Sequence, residues 1–392
     1  MQAKHVVVGL SGGVDSSVAA HLLKEQGYEV TGLFMKNWED QQGVLTSSCT
    51  WEDDLMFAEM AAKKLNIPLH FVDFSKEYRQ RVVDYMFGEY QKGRTPNPDV
   101  LCNREVKFDL FAREAEKLGA DFIATGHYCK KIESMQDGRK VYSLMAGDDA
   151  NKEQSYFLCQ ISQAQLSKAL FPLGDLHKPQ VREMATQLGL ATATRKDSQG
   201  ICFIGKVDLP EFLQQKLSAK KGKIVKIDKQ QIEALNDNPG ESLEQQCRPY
   251  DLDQLDGHTI GEHNGAHFFT VGQRKGLNVG GTKEPLYVLA VDTEKNIVYT
   301  GEGKDHPGLF RKGLFIPRDE VHWIREDLRL QPGQEKAMDI RIRYRQPLQK
   351  GTLIMKESGA YILFETPQRG ITPGQFAAWY ENSELLGSGV IE

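Results

Sequence analysis

The sequence is short of the features that would assign it at sight. Its six cysteines (Cys49, Cys102, Cys129, Cys159, Cys202 and Cys247) form no CxxC pair, which disfavours a zinc knuckle and a secreted disulfide framework. No apolar run approaches the roughly 20 residues that a membrane helix requires, so no membrane span is expected. Met1–Lys4 lead straight into the apolar run Val6–Leu10, without a charged leader region or a small-residue cleavage site, and the expected compartment is the cytoplasm. An excess of basic charge is missing as well. The net charge of −5 argues against a broad nucleic-acid-coating surface, and any polyanion would have to use local basic patches.

What is present is length and a clear alternation of elements. At 392 residues the chain reads as two or three domains. Strand signals at Val6–Leu10, Val30–Phe34, Leu69–Val72 and Phe122–Thr125 alternate with helical ones. The latter cover Ser16–Gln26 (ended by Gly27), Asp53–Leu65, a helix from Ser75, and Glu105–Leu118. This pattern predicts an α/β domain with a parallel sheet covered by helices on both faces, whose ligands bind beyond the carboxyl ends of the strands. Residues 155–190 read as helical, and Thr194–Gly205 as a loop leaving this first domain, 1–207.

A central domain, 208–284, follows, with a polar segment at about 229–260 that is either a poorly ordered insertion or a surface elaboration. Short alternating runs from Tyr287 to Tyr380 predict a carboxyl-terminal antiparallel β-barrel, 285–392.

The strongest local feature is Gly9-Leu10-Ser11-Gly12-Gly13-Val14-Asp15-Ser16, between an apolar strand and a helix. Its glycines let backbone N–H groups approach an anion, and the following helix adds its positive end. Ser11 and Ser16 can donate to phosphate, and Asp15 is explained if it holds a Mg²⁺ that bridges a nucleotide. The loop is neither GxGxxG nor a loop ending in Gly-Lys-Ser/Thr, so dinucleotide binding and γ-phosphoryl transfer lose ground. Ser11–Ser16 resembles the signature of the PP-loop ATP pyrophosphatases, which implies cleavage of ATP between its α and β phosphates.

Two cysteines stand in polar loops. Cys102 closes Thr95-Pro96-Asn97-Pro98-Asp99-Val100-Leu101-Cys102, before a helix expected to begin near Asn103–Glu105, where the helix dipole would favour its thiolate. Cys202 lies in Lys196-Asp197-Ser198-Gln199-Gly200-Ile201-Cys202. Cys49, Cys129, Cys159 and Cys247 are expected to be structural. In Asp339–Arg345 a period of two would place Arg341, Arg343 and Arg345 on one strand face, suited to phosphate contact or to a solvated barrel exterior.

Together with the loop, the segments TPNPDVLCN, ATGHY (Ala124–Tyr128), NKEQSYFL (Asn151–Leu158), DSQGICFI and TVGQRKGL (Thr270–Leu277) resemble the tRNA-specific 2-thiouridylases, from about residue 5 to 390. The resemblance implies ATP-dependent 2-thiolation of the wobble uridine of tRNA, position 34, with release of AMP and pyrophosphate. It implies a persulfide on Cys202, Cys102 as partner nucleophile closing a Cys102–Cys202 disulfide, and Asp99 as general acid/base.

Met35 and Gly126 join Gly9–Ser16 as implied ATP contacts. Asn97, Pro98, Asp99, His127, Lys152, Glu153, Gln154, Arg343, Tyr344 and Gln375 are the implied tRNA contacts. A cysteine desulfurase or sulfur-relay protein is the implied sulfur donor. Two readings compete: a PP-loop synthetase that forms an amide through an adenylate and needs neither cysteine, and a non-catalytic ATP-regulated RNA-binding protein.

Overall fold

The computed structural model describes residues 3–39, 44, 51–197, 200–236 and 242–392. Cys49 and two residues of the second cysteine loop, Ser198 and Gln199, lie outside them.

The first unit is built on β1 (His5–Gly9), α1 (Val14–Glu25), β2 (Glu29–Lys36), α2 (Trp51–Leu65), β3 (Leu69–Asp73) and β4 (Phe122–Ala124). A two-residue strand, Ala169–Leu170, extends the sheet beyond β4, and all its pairings are parallel, in the order β3-β2-β1-β4 and then Ala169–Leu170. Val6, Val7 and Val8 of β1 are fully buried, as expected for a central strand covered on both faces. The strand order reverses direction between β1 and β4, so the crevice beyond their carboxyl ends is the switch point where such sheets take ligands. Both Ser11–Ser16 and Thr125–His127 open into it.

Three local expectations change. The helix expected from Glu105 begins at Pro98, with Asn97 as its cap, accepting from the Val100 amide at 3.3 Å. Proline at the first helical position suits this start. The turn Asn103–Leu110 within it is π-helical. The helical run expected over 155–190 is divided into Ser155–Leu158, Gln163–Lys168 and Lys178–Gln187; Ser162 caps the second piece, and Pro172 and Gly174 interrupt the periodicity before the third.

A hairpin that follows β4, β5 (Cys129–Gln136) and β6 (Arg139–Ala146), leaves the parallel sheet and packs on the helix Gln163–Lys168. It adds to the carboxyl-terminal sheet through Glu384–Met145 and Leu385–Leu144. That antiparallel sheet runs Phe310–Pro317, Gly359–Arg369, Gln349–Lys356, Glu335–Arg341, Phe376–Glu381, Glu384–Val390, β6, β5. Leu286–Asp292 and Ile297–Glu302, expected to open this sheet, pair instead with Gly222–Lys226 and His258–His263 in a separate four-stranded sheet.

The polar segment 229–260 is a surface elaboration with a packing role among its described residues. Its helix Leu243–Cys247 lies against Phe310–Pro317, the edge strand of the large sheet. Buried Arg311 donates to the Cys247 carbonyl, and the Tyr250 hydroxyl donates to the Phe310 carbonyl at 3.0 Å. Covering an exposed edge in this way prevents unwanted strand pairing.

Candidate active site

The phosphate loop follows β1 and turns at Gly12, whose φ of 72° suits glycine, and whose added Cβ would lie 2.2 Å from the Asp54 carbonyl oxygen. Within the loop the Ser11 amide donates to Ser16 Oγ at 3.2 Å, and Ser16 Oγ donates to the Gly13 carbonyl at 3.1 Å. These bonds fix the loop's curvature before any ligand arrives. Leu10, Val14 and Ser16 are buried, Asp15 is half-buried and Ser11 is exposed, so the apolar residues anchor the loop while Ser11 faces outward. Gly126 passes so close to α1 that a Cβ there would sit 2.9 Å from the Asp15 carbonyl carbon, and it brings the end of β4 against the loop. Met35, inside β2 rather than beyond it, is buried.

Asp15, expected to hold a Mg²⁺, is met here by protein partners. Both of its oxygens lie 2.7 Å from Lys178 Nζ, and the Tyr128 hydroxyl donates to it at 2.7 Å. No group of three or more potential ligands occurs among the described residues. Lys178 also reaches Asp197 at 2.9 Å, where Arg182 joins at 2.7 Å and Lys152 at 2.5 Å. Burial works against ionisation of Asp197, but hydrogen bonds from Lys152 and Lys178 outweigh it and hold its carboxyl at about 2. Arg195 donates to the Gly12 carbonyl at 2.9 Å and pairs with Asp54. Cations thus line the crevice side of the loop, and sequence reasoning named only Lys152 among them. The spacing of Lys178 and Arg182, four apart at a helix start, was the available signal.

The two sulfurs implied by the resemblance meet. Cys102 Sγ lies 3.5 Å from Cys202 Sγ, over a separation of 100 positions. Asp99 accepts from the Cys202 amide at 2.9 Å, and the Tyr78 hydroxyl donates to the Cys202 carbonyl at 2.6 Å. The reason expected for Cys102 reactivity fails, because it is the last residue of the segment Pro98–Cys102 and fully buried. Burial pushes its thiol well above the ordinary value. The favoured thiolate is that of Cys202, lowered first by the hydrogen bond from Cys102, against burial, and then by Lys107.

Burial alone would lower Lys107, yet the facing Cys202, Cys102 and Asp99 raise it, and its ammonium stands 5.6 Å over the Phe203 ring. Five positions in an α-helix turn a side chain by about 140°, so Lys107 was hidden from the sequence. The π-helical turn, with its i→i+5 bonding, brings it around. Asp99 is pushed up by burial, opposed by the Cys202 amide and by Lys107.

Most of the residues implied as tRNA contacts hold units of the fold together. Glu153 is buried, pairs with Arg341 and accepts from the Ser155 amide. Arg343 donates to the Gly370 carbonyl, and also to Thr372 at 3.2 Å. The arginine ladder is therefore absent: the strand ends at Arg341, Arg341 and Arg343 turn to internal partners, and Arg345 alone is exposed. Tyr344 packs on Phe157, with ring centroids 4.2 Å apart. Gln375 donates to the carbonyls of Thr95 and Pro96, at 2.8 and 3.1 Å, steadying the loop before Asn97.

Gln154 accepts from the Tyr128 amide at 3.1 Å. His127 is buried, hydrogen-bonded to Thr125 at 2.8 Å, and held well below its ordinary value by burial and then by Lys107. Cys129, Cys159 and Cys247 are buried and free.

A phosphate loop at the switch point of a parallel sheet, in a chain that also brings two cysteines together, defines a nucleotide-using enzyme of the PP-loop class. Family profiles match three stretches: tRNA methyl transferase HUP domain over residues 4–206, tRNA methyl transferase PRC-barrel domain over 243–302, and aminomethyltransferase beta-barrel domain over 316–391. The tRNA-specific 2-thiouridylase of Flavobacterium johnsoniae is 59% identical over 99% of this chain and 100% of its own length. That of Christiangramia forsetii is 57% identical over the same shares. A solved 4-thiouridine synthetase–RNA complex with bound ATP aligns over 54% of this chain and 50% of its own at 19% identity, with a TM-score of 0.36, and adds no weight. The chain belongs to the tRNA-specific 2-thiouridylase family.

Proposed function

We propose that the chain is an ATP-dependent tRNA sulfurtransferase that replaces the 2-oxygen of the wobble uridine, position 34, with sulfur. The observation that carries this reading is the 3.5 Å approach of Cys102 and Cys202 in a chain that also carries the phosphate loop. It also disfavours an amide-forming synthetase, which would need neither thiol.

In this reading Gly9–Ser16 cradles ATP with its backbone N–H groups, and Met35 and Gly126 flank the adenine. The C2 oxygen of uridine attacks the α-phosphorus, the α–β phosphoanhydride bond breaks, and pyrophosphate leaves. A carbonyl oxygen, otherwise a poor leaving group, thereby becomes part of AMP. The terminal sulfur of a Cys202 persulfide then attacks C2 and AMP departs. Cys102, as thiolate, attacks Cys202 Sγ; the bond between Cys202 and the transferred sulfur breaks, and 2-thiouridine is left with a Cys102–Cys202 disulfide. An external thiol reduces it, and a cysteine desulfurase or relay protein restores the persulfide.

Asp99, with its carboxyl raised by burial, suits the proton traffic at the base as a general acid/base. Lys107 balances the sulfur anion. Mg²⁺ would accompany the phosphates of ATP, since the protein itself offers it no ready ligand set among the described residues. The reaction belongs in the cytoplasm, where ATP, tRNA and thiols coexist, and no described helix is long and apolar enough to cross a membrane.

Asn97, Pro98, Asp99, His127 and Gln154 border the crevice as tRNA-contacting candidates. Lys152, Glu153, Arg343, Tyr344 and Gln375 would act on tRNA by shaping that border. Nucleoside mass spectrometry of tRNA after incubation with ATP, Mg²⁺ and a persulfide source tests the reading. Absence of 2-thiouridine from several cognate tRNAs would refute it.

A further inference from the structure

Thr95 belongs to the first unit, yet its polar groups are met by turns of the two sheets that follow. Its amide donates to the Pro373 carbonyl at 2.8 Å, and its carbonyl accepts from Gln375 at 2.8 Å, both in a turn between strands of the large sheet. Its hydroxyl stands 3.0 Å from that of Thr270, in the turn that leads to the four-stranded sheet's Leu286–Asp292. Both anchors are themselves tied down. The Gly374 amide donates to the Ile391 carbonyl and the Ile391 amide to that of Gln375, each at 2.8 Å. On the other side, Gly272 donates to the Val288 carbonyl at 2.8 Å, Val288 to that of Gln273 at 2.9 Å, and the Thr270 amide to the Gln273 side chain at 3.0 Å. Gly374, at φ 87°, comes so close that a Cβ there would lie 3.0 Å from the Thr95 nitrogen.

The segment from Thr95 to the helix is short and stiff. Pro96 and Pro98 fix their own φ and restrict Thr95 and Asn97 before them, so a displacement at Thr95 is passed on to Asn97. Asn97 caps the helix Pro98–Cys102. That helix in turn sets Asp99 against the Cys202 amide and Cys102 against the Cys202 sulfur.

We propose that Thr270 is a positioning residue for the sulfur chemistry: through the Thr95 hydroxyl it sets where the helix Pro98–Cys102 places Asp99 and Cys102. The central part of the chain then takes part in the reaction without touching the substrate there. The proposal rests on the reading of the chain as a sulfurtransferase. Two sulfurs and a carboxylate that work at contact distance need such a hold, since a misplacement of about 1 Å costs on the order of 10²-fold in rate. The Asn97 cap fixes how the helix begins, and the bonds to Thr95 fix where. Among those bonds the Thr95–Thr270 contact is the one made by two side chains, so a valine at either position removes it and leaves the backbone bonds of Thr95 in place.

The test is steady-state 2-thiouridine formation by the full chain with tRNA, ATP, Mg²⁺ and a persulfide source, read as kcat and KM for tRNA separately. Thr270→Val is expected to lower kcat at least about tenfold with KM within about twofold of the wild type, and Thr270→Ser to restore most of the rate. Thr95→Val should act alike from the other side, and the double variant should be no slower than either single one, because both remove the same contact. Thr95→Val also serves if Thr270→Val folds poorly. A second readout does not depend on turnover. The pH midpoint of Cys202 alkylation by iodoacetamide, set among Cys102, Lys107, Asp99 and Tyr78, should move in Thr270→Val and return in Thr270→Ser. A Thr270→Val protein that keeps the wild-type kcat, with or without a raised KM, would overturn the proposal and leave the sulfurtransferase reading intact. A wild-type chain that forms no 2-thiouridine would refute that reading, and an unmoved Cys202 midpoint would then overturn the proposal too.

Discussion

Cys102 and Cys202 stand with their sulfurs 3.5 Å apart, in hydrogen-bond contact and well beyond the roughly 2.05 Å of a disulfide. Both thiols are free, and Cys102 donates to the partner that would carry sulfur. Removing either thiol should separate the two halves of the reaction. Cys102→Ser and Cys202→Ser are each expected to lower 2-thiouridine formation at least about 10³-fold, while tRNA-dependent pyrophosphate release persists. Coupled pyrophosphate assays beside nucleoside mass spectrometry check this, and full thiolation by Cys102→Ser would restore the amide-synthetase reading.

The two thiols should differ in their pH response. Cys202 is lowered from its ordinary value, first by the Cys102 hydrogen bond and then by Lys107 against burial, whereas burial raises Cys102. Because the thiolate alone alkylates, the Cys202 rate should reach its half-maximum at lower pH than a free cysteine, and Cys102 at higher pH. Lys107→Met should move the Cys202 midpoint upward and Lys107→Arg should restore part of it. An unchanged midpoint in Lys107→Met would remove Lys107 from the chemistry.

At the phosphate loop, Gly126→Ala would force a Cβ to within 2.9 Å of the Asp15 backbone. Neither backbone can yield without shifting the start of α1. ATP binding by calorimetry should weaken by at least about tenfold, with thermal stability lowered less than by a comparable change in the β1 core.

Glu153, buried in the first unit, pairs with the partly buried Arg341 of the large sheet. Arg341→Ala leaves a buried carboxylate uncompensated and is expected to cost about 3–5 kcal/mol. The double variant Arg341→Met with Glu153→Gln should recover much of that loss. Urea unfolding of all three proteins measures the coupling, and additive losses would place the two residues in separate environments.

The parallel sheet and its loop were legible because continuous apolar strands and a Gly-rich strand–helix junction are local signals. The sulfur pocket was legible only in part. Cys102 and Cys202 could be named from the motifs around them, but the position of Cys102 inside a helix depended on Asn97 capping that helix five residues earlier. Lys107 depended on a π-helical turn that no local pattern announces. Arg341 and Arg343 misled for a related reason. Alternation gives the faces of a strand only while the strand lasts, and this one ends at Arg341. Asp197 and Lys178 were invisible as partners because tertiary packing, not spacing, unites them.

The β5–β6 hairpin has a consequence for how the molecule is made. Its partner strand begins at Glu384, which pairs with Met145. During synthesis at ~5–20 residues per second, the intervening stretch of about 240 residues takes on the order of ten to fifty seconds to appear. Throughout that time the nascent chain carries a strand with an unmatched edge. The carboxyl-terminal strand is the stitch that closes it, so a chain truncated near its end loses more than its last residues.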